Sequence, residues 1–412
     1  MESTVETSTL LLMVSGALVL LMTPGVAFFY GGLVKAKSVV SMMMLSMGAM
    51  GLVGVLWVLF GYSMAFGEAL IPGWLGNPFA DFGLQSFLGI AENGTLNPDM
   101  ESLAFAGFQA AFAILAIALI SGGIADRARF GGWMLFVALF AILVYFPVAY
   151  WVFNLEDGWG PALGVNDFAG GTAIHINAGA AALALALVLG RRIGFAKGVH
   201  KPHNVPLVLL GASLLWFGWF GFNAGSAAAV DGTAMLAFIN TIVAPAAGII
   251  GWLVVEKIKD GKPTSVGAAS GAIAGLVAVT PGCNILTPLW SLVLGLLAGA
   301  LCAWAVELKY RWGYDDSLDV VGIHLIGGML GTLYIGVVGQ GIGLLDSGSW
   351  YQLGVQALAS VVVLVYSFVV AWLIGMLVEK TIGFRVRNED EIAGVDLVLH
   401  GEEGYVLDAD VR

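Results

Sequence analysis

Two histidines interrupt long apolar runs. His175 lies in Ile174-His175-Ile176-Asn177-Ala178-Gly179, and His324 in Ile323-His324-Leu325-Ile326-Gly327-Gly328. They are the only ionisable side chains in the middle stretches of their runs. A titratable group in such a setting is costly to bury and therefore points to function. The competing reading is a neutral imidazole that hydrogen-bonds between helices. A neutral ring offers one donor and one acceptor, which suits a small polar molecule better than a naked ion. Two such rings at one depth would be able to share a proton. Neither fits an enzyme signature: there is no H-E-x-x-H, no paired Cys and no defensible Ser/His/Asp set. Cys283 and Cys302 are too few for a disulfide framework or a zinc cluster. His200, His203 and His400 fall in polar segments and are expected to be solvated.

Each stretch has an acid upstream, Asp167 and Asp319 respectively. Asp167 precedes Phe168-Ala169-Gly170-Gly171 and is read either as a helix cap or as a charge that stabilises a cation at a pore mouth. Asp319 carries the same duality, weighted toward structure. Aromatic residues cluster near helix ends: Phe108 and Phe112, Trp151 and Phe153, and Trp219, Phe220 and Phe222. An interfacial belt explains most such clusters. Phe108 and Phe112, however, are four apart and share a helix face, and an aromatic face attracts a cation by about 0.5–2 kcal/mol.

The elements that must position these residues are membrane spans. Of 412 residues, 59% are hydrophobic and only 11% are charged. No soluble fold hides that much apolar surface behind so few charges, so the surrounding solvent is lipid. A net charge of −11 argues against a nucleic-acid partner. Eleven runs approach the ~20 residues that cross hydrocarbon, at 8–33, 38–66, 102–125, 130–153, 169–190, 205–226, 233–256, 264–281, 287–308, 318–340 and 351–379. The run at 264–281 is the weakest. Residues 1–9 lack the basic start of a signal peptide, so the first run is expected to remain as span 1.

All 17 Lys and Arg follow odd-numbered spans. Basic residues collect in cytoplasmic loops, which predicts an outside N-terminus and a cytoplasmic C-terminus. The other loops are acidic, with Glu68, Asp81, Glu92, Asp99, Glu101, Glu156, Asp157 and Asp231. Such a field concentrates cations, or simply keeps the loops polar. Asn93-Gly94-Thr95 fits a glycosylation sequon. Glycines spaced by four, such as Gly267/Gly271/Gly275 and Gly295/Gly299, suit close helix packing in lipid. The two His stretches stand five spans apart, and an odd number of spans per half inserts the second half upside down. Inverted repeats place a shared site near the bilayer midplane.

The chain resembles the ammonium transporter family (Amt/Mep, with the Rhesus proteins as distant relatives) along nearly its whole length. The resemblance is carried by Asp167-Phe168-Ala169-Gly170-Gly171 leading to His175, by Phe217-Gly218-Trp219-Phe220-Gly221-Phe222-Asn223-Ala224-Gly225-Ser226, and by Ser270-Gly271-Ala272-Ile273-Ala274-Gly275-Leu276. Pro202-His203-Asn204 and Thr280-Pro281 add to it. The resemblance implies an all-α integral membrane protein with eleven transmembrane helices: two inverted five-helix repeats (about 8–190 and 205–340) plus an eleventh helix at 351–379. It implies a transmembrane ammonium-channel domain over 1–380, a cytoplasmic tail over 381–412 and a homotrimer with one pore per subunit.

By resemblance, His175 and His324 are the twin-histidine pair of the pore, and Phe112 and Phe222 the stacked gate. Phe108, Phe153 and Ser226 form the outer ammonium-recruitment site, with Asp167 beneath it; Gln109 and Thr280 lie near the path. The family usually has Trp where this chain has Phe153, which loses the indole N–H donor and some quadrupole. Trp151, two residues away, is expected to point elsewhere. The tail, with Gly394-Val395-Asp396, His400-Gly401-Glu402 and Tyr405, resembles the segment that in relatives couples subunits and receives a PII-type regulatory protein. The implied function is ammonium transport in the cell membrane, without cofactor or enzymatic activity. A rival is an ammonium sensor that binds but conducts little. Phe153 favours it, whereas only about 30 residues follow span 11 and they form no output domain.

Overall fold

The computed structural model describes residues 2–195 and 201–405. It is 74% helical, with eleven helices long and apolar enough to cross a membrane. Spans 1 to 5 run Val5–Leu33, Ala36–Phe66, Met100–Ile124, Phe130–Phe153 and Gly171–Leu189. Spans 6 to 10 run Val205–Gly225, Gly232–Lys259, Ser265–Gly282, Pro288–Trp312 and Val321–Val338, and span 11 is Tyr351–Thr381. Predicted and observed limits differ by a few residues at most, and at the weak eighth run by one at each end.

The same neighbours recur in each half. Span 1 packs on spans 2 and 3, as span 6 packs on spans 7 and 8. Span 2 packs on span 4, as span 7 does on span 9. This is the signature of two inverted five-helix repeats, joined along the span 1–span 6 and span 5–span 10 contacts. Span 11 lies against spans 5 and 10, outside the repeat. Small residues let the second half pack tightly. A methyl group added to Gly271 would lie 2.7 Å from the Gly248 carbonyl oxygen, and one on Gly275 would lie 2.8 Å from the Pro245 Cα. The glycine stripe is therefore a helix-packing device, as its spacing predicts.

Spans 2 and 4 each contain one π-helical turn, Trp57–Gly61 and Ala141–Tyr145. Spans 5 and 10 both begin in one, Gly171–Ile176 and Val321–Leu325. Such turns are rare and concentrate at functional sites. On the acidic face, the loop before span 3 folds into two short antiparallel hairpins, Ala69–Ile71 with Leu75–Gly76 and Leu88–Ile90 with Leu96–Pro98.

The basic face is more ordered than solvated loops would be. Arg127 is fully buried and donates to the Ser317 hydroxyl and to the Asp315, Gly123 and Ala125 carbonyls. Arg192 pairs with Asp315 at 2.9 Å and Asp126 at 3.1 Å. Burial lowers Arg127 to about 10, whereas for Arg192 burial is outweighed by the two carboxylates, which hold it above its ordinary range. Counted along the sequence, both residues look like loop charges; in the fold they lock loops together. The tail is folded onto this face. Asp396 accepts from the Val40 and Ser41 amides, and Glu391 accepts from the Ile193 amide while pairing with Arg385. His203 and His400 are not the solvated residues that sequence suggests. His203 Nδ1 lies 2.8 Å from the Val34 carbonyl and Nε2 2.9 Å from the Tyr405 hydroxyl, and His400 packs edge-on to Phe130. His200 lies outside the described residues.

Candidate functional site

The two π-helical starts of spans 5 and 10 aim His175 and His324 at each other. Their Nδ1 atoms are 3.3 Å apart and the ring centroids 5.3 Å. At that distance one ring carries the shared Nδ1 proton and the other accepts it. His175 is completely buried and His324 is 5% exposed. The His175 Nε2 is buried without a protein partner, leaving an open polar valence.

Asp167 explains why the first π-helical turn forms where it does. Its carboxylate accepts from the backbone amides of Gly170, Gly171, Thr172 and Ala173 and from the Thr172 hydroxyl. Those amides are the unpaired donors of a helix start. Gly170 adopts φ +120°, a conformation open to residues without a Cβ. Burial pushes the Asp167 carboxyl above its usual range, although the hydrogen bonds oppose this. The acid that does the same for His324 is Asp316 and not Asp319. Asp316 accepts from the Val320 and Val321 amides at 3.2 and 2.7 Å. It stands as far ahead of His324 as Asp167 stands ahead of His175. Asp319, the expected counterpart, is too close to its histidine to cap this turn; it pairs instead with Lys309 at 2.6 Å.

Above the histidines, Phe112 and Phe222 stack at 4.3 Å between centroids with planes 19° apart. Phe222 lies 6.1 Å from the His175 ring. Both phenyl groups are essentially inaccessible to solvent. Phe108 follows at 4.7 Å from Phe112, and Phe153 meets Phe112 edge-on at 6.5 Å. Ser226, half-buried, is one turn beyond Phe222 and donates to its carbonyl oxygen at 2.8 Å. Thus the fold gathers Phe108, Phe112, Phe153 and Phe222 into one cluster toward the acidic face, with Ser226 one turn further along the helix that carries Phe222. Trp151 does point elsewhere: its indole donates to the Trp74 carbonyl at 2.8 Å.

Trp219 is a residue whose part in the site composition does not reveal. Its ring stacks on His175 at 5.5 Å, and its Nε1 donates to the Thr280 hydroxyl at 2.8 Å. Its position three residues before Phe222, on the same helix face, was the available signal. Below the histidines a narrow lumen holds about 10 Å³, room for roughly one water-sized molecule. Its walls are mostly apolar, with Leu119, Leu215 and Ile273 among them, and its lower end is formed by Leu318 and Asp319. These two residues also border a wider cavity of about 620 Å³ on the basic face.

The model of the Ammonium Transporter Family matches residues 10–405. An ammonium transporter of Mycobacterium tuberculosis is 49% identical over 96% of this chain and 89% of its own length. One from Bacillus subtilis is 45% identical, covering 94% of this chain and 96% of its own. Among solved structures, a sensor Amt protein is 28% identical with a TM-score of 0.90, covering 97% of this chain and 100% of that one. Candida albicans Mep2 is 33% identical with a TM-score of 0.86, covering 97% and 90% respectively. Sequence, fold and the clustered residues agree: this multi-pass membrane protein belongs to the ammonium transporter family, whose work is transport rather than catalysis.

Proposed function

We propose that the chain carries ammonium nitrogen across a lipid bilayer as neutral ammonia, through the lumen beside His175 and His324. The observation that carries this reading is the imidazole pair, 3.3 Å apart, at the head of a narrow apolar lumen and beneath stacked phenyl rings. An isolated ion moved into a low-dielectric interior costs tens of kcal/mol by the idealised estimate. Cation–π contacts return about 0.5–2 kcal/mol each. The ion is therefore held at the mouth by Phe108, Phe153 and Ser226, and gives up its proton before the gate of Phe112 and Phe222. Ammonia then passes the imidazoles, which keep the path polar or relay the proton. Asp167 acts through the frame that it caps, because its carboxylate is turned onto protein donors.

In this reading the basic face is cytoplasmic by the positive-inside rule, so the N-terminus lies outside and the C-terminus inside. The protein works in the cell membrane as a homotrimer, residues 381–412 form the cytoplasmic tail, and a PII-type regulatory protein is the partner for that face. The test is rescue of ammonium uptake in transporter-deficient cells. Growth at limiting ammonium is expected; failure despite good membrane expression overturns the transport reading. Such failure would favour a sensor, a reading that gains some support from the likeness to a sensor Amt protein and from Phe153. Ammonium-evoked current on solid-supported membranes separates electrogenic from electroneutral passage.

A further inference from the structure

The junction between lumen and basic-face cavity is made by Leu318 and Asp319, which border both. Asp319 is a non-glycine residue at φ +67°, a sparsely populated conformation that persists where surroundings impose it. Its side chain is 34% exposed. One carboxylate oxygen, Oδ1, is occupied by Lys309 Nζ at 2.6 Å. Lys309 is itself 6% exposed and is held by the Asp316 carbonyl at 2.9 Å and by the Tyr310 ring, 5.5 Å from its centroid. A buried lysine with this many fixed partners does not wander into the lumen.

The head group of lysine is an ammonium ion on a tether. It meets a carboxylate, a carbonyl and an aromatic face, contacts of the kind that would capture a free monovalent cation. We infer that Lys309 is a specificity-determining residue: its tethered ammonium occupies the Asp319 carboxylate, so that free ammonium or potassium from the basic-face side does not settle at the end of the pore. This rests on the transport reading. It adds an asymmetry, since the acidic loops at the aromatic mouth carry no Lys or Arg while the charged mouth is already filled by one. Exit of the transported nitrogen is then not slowed by product rebinding.

The experiment uses the full chain in proteoliposomes whose orientation is fixed by protease protection. Ammonium flux is driven from the acidic-face side while potassium is raised on the basic-face side. For the wild type, potassium is expected to leave flux nearly unchanged. Lys309→Gln keeps a donor for the Asp316 carbonyl but removes the charge, and is expected to become inhibited at potassium concentrations at least about tenfold lower. Lys309→Arg is expected to behave as wild type. The double variant Lys309→Gln with Asp319→Asn is expected to lose the new inhibition. Equal potassium sensitivity of wild type and folded Lys309→Gln would overturn the inference. If Lys309→Gln does not fold, Asp319→Asn alone decides. It leaves an unneutralised cation at the exit, so maximal flux is expected to fall severalfold with KM unchanged, and wild-type flux would overturn the proposal. Absence of ammonium flux in the wild type would instead overturn the transport reading, and this inference with it.

Discussion

Asp167 stands ahead of His175 as Asp316 stands ahead of His324, and each carboxylate caps the π-helical turn that presents its imidazole. Beyond this shared frame the halves part. His175 is stacked against Trp219 and Phe222, and its acid engages five donors in the backbone and Thr172. His324 lines the lumen beside His175, and its acid accepts from two amides in a mouth that also holds Lys309 and Asp319. The repeat thus supplies a common scaffold for the imidazole pair, while the side chains around it make one end aromatic and the other ionic. Geometry is conserved between the halves; chemistry is not.

The comparison is broken most directly at the histidines. His175→Ala is expected to lower selective ammonium uptake by more than about tenfold, and His324→Ala by less, because only the former unseats the aromatic stack. Uptake and potassium conductance, measured together, decide the matter. Equal losses would mean that the surroundings do not distinguish the two rings, and unchanged profiles for both would make the rings structural. The acids come next. Asp167→Asn turns an amide donor onto amide donors, at a cost of about 3 kcal/mol, and Asp316→Asn is expected to cost about half as much. Thermal unfolding in detergent measures both, and a reversed order would contradict the donor count.

Smaller effects sharpen the contrast between the mouths. Phe153→Trp restores a larger quadrupole at the aromatic end and is expected to lower KM by about two- to fivefold. An unchanged KM would remove Phe153 from the recruitment site. At the ionic end, burial raises the Asp316 carboxyl to about 6, with Lys309 pulling the other way. The folded protein then holds a proton that the unfolded chain releases near ~4. That stabilisation is complete below the unfolded value and is lost as pH rises through about 6. Melting temperature is therefore expected to slope downward over this window in the wild type, and less so in Asp316→Asn. Parallel slopes would show that another group governs the window.

Much of this arrangement could be read before any coordinates. Span number followed from apolar length together with the one-sided placement of Lys and Arg, two signals that do not share a cause. The imidazole pair stood out because titratable side chains are rare in such runs. What escaped was short-range. Asp316 and Asp319 sit three residues apart, and sequence alone does not say which carboxylate meets backbone amides and which meets Lys309. Arg127 and Arg192 obey the charge rule for loops, yet burial and their carboxylate partners are tertiary facts. The π-helical turns leave no compositional trace, since their Gly, Val, Ile and aromatic residues are those found throughout the spans. For the same reason the docking of Asp396 on the start of span 2 was invisible.

Those wide turns bear on how such a protein tolerates change. In a π-helical segment one extra residue is accommodated without breaking the helix. Deleting a single residue between 171 and 176 would let that stretch relax to ordinary winding. The wide turn and the extra residue, worth about 100° of winding, would cancel, so the rest of span 5 would keep its face toward span 10 while Asp167 and the imidazole lost their spacing. A deletion there would spare the helix and strike the site, so the spacing from carboxylate to imidazole, the same in both halves, is a length that neither half is free to edit.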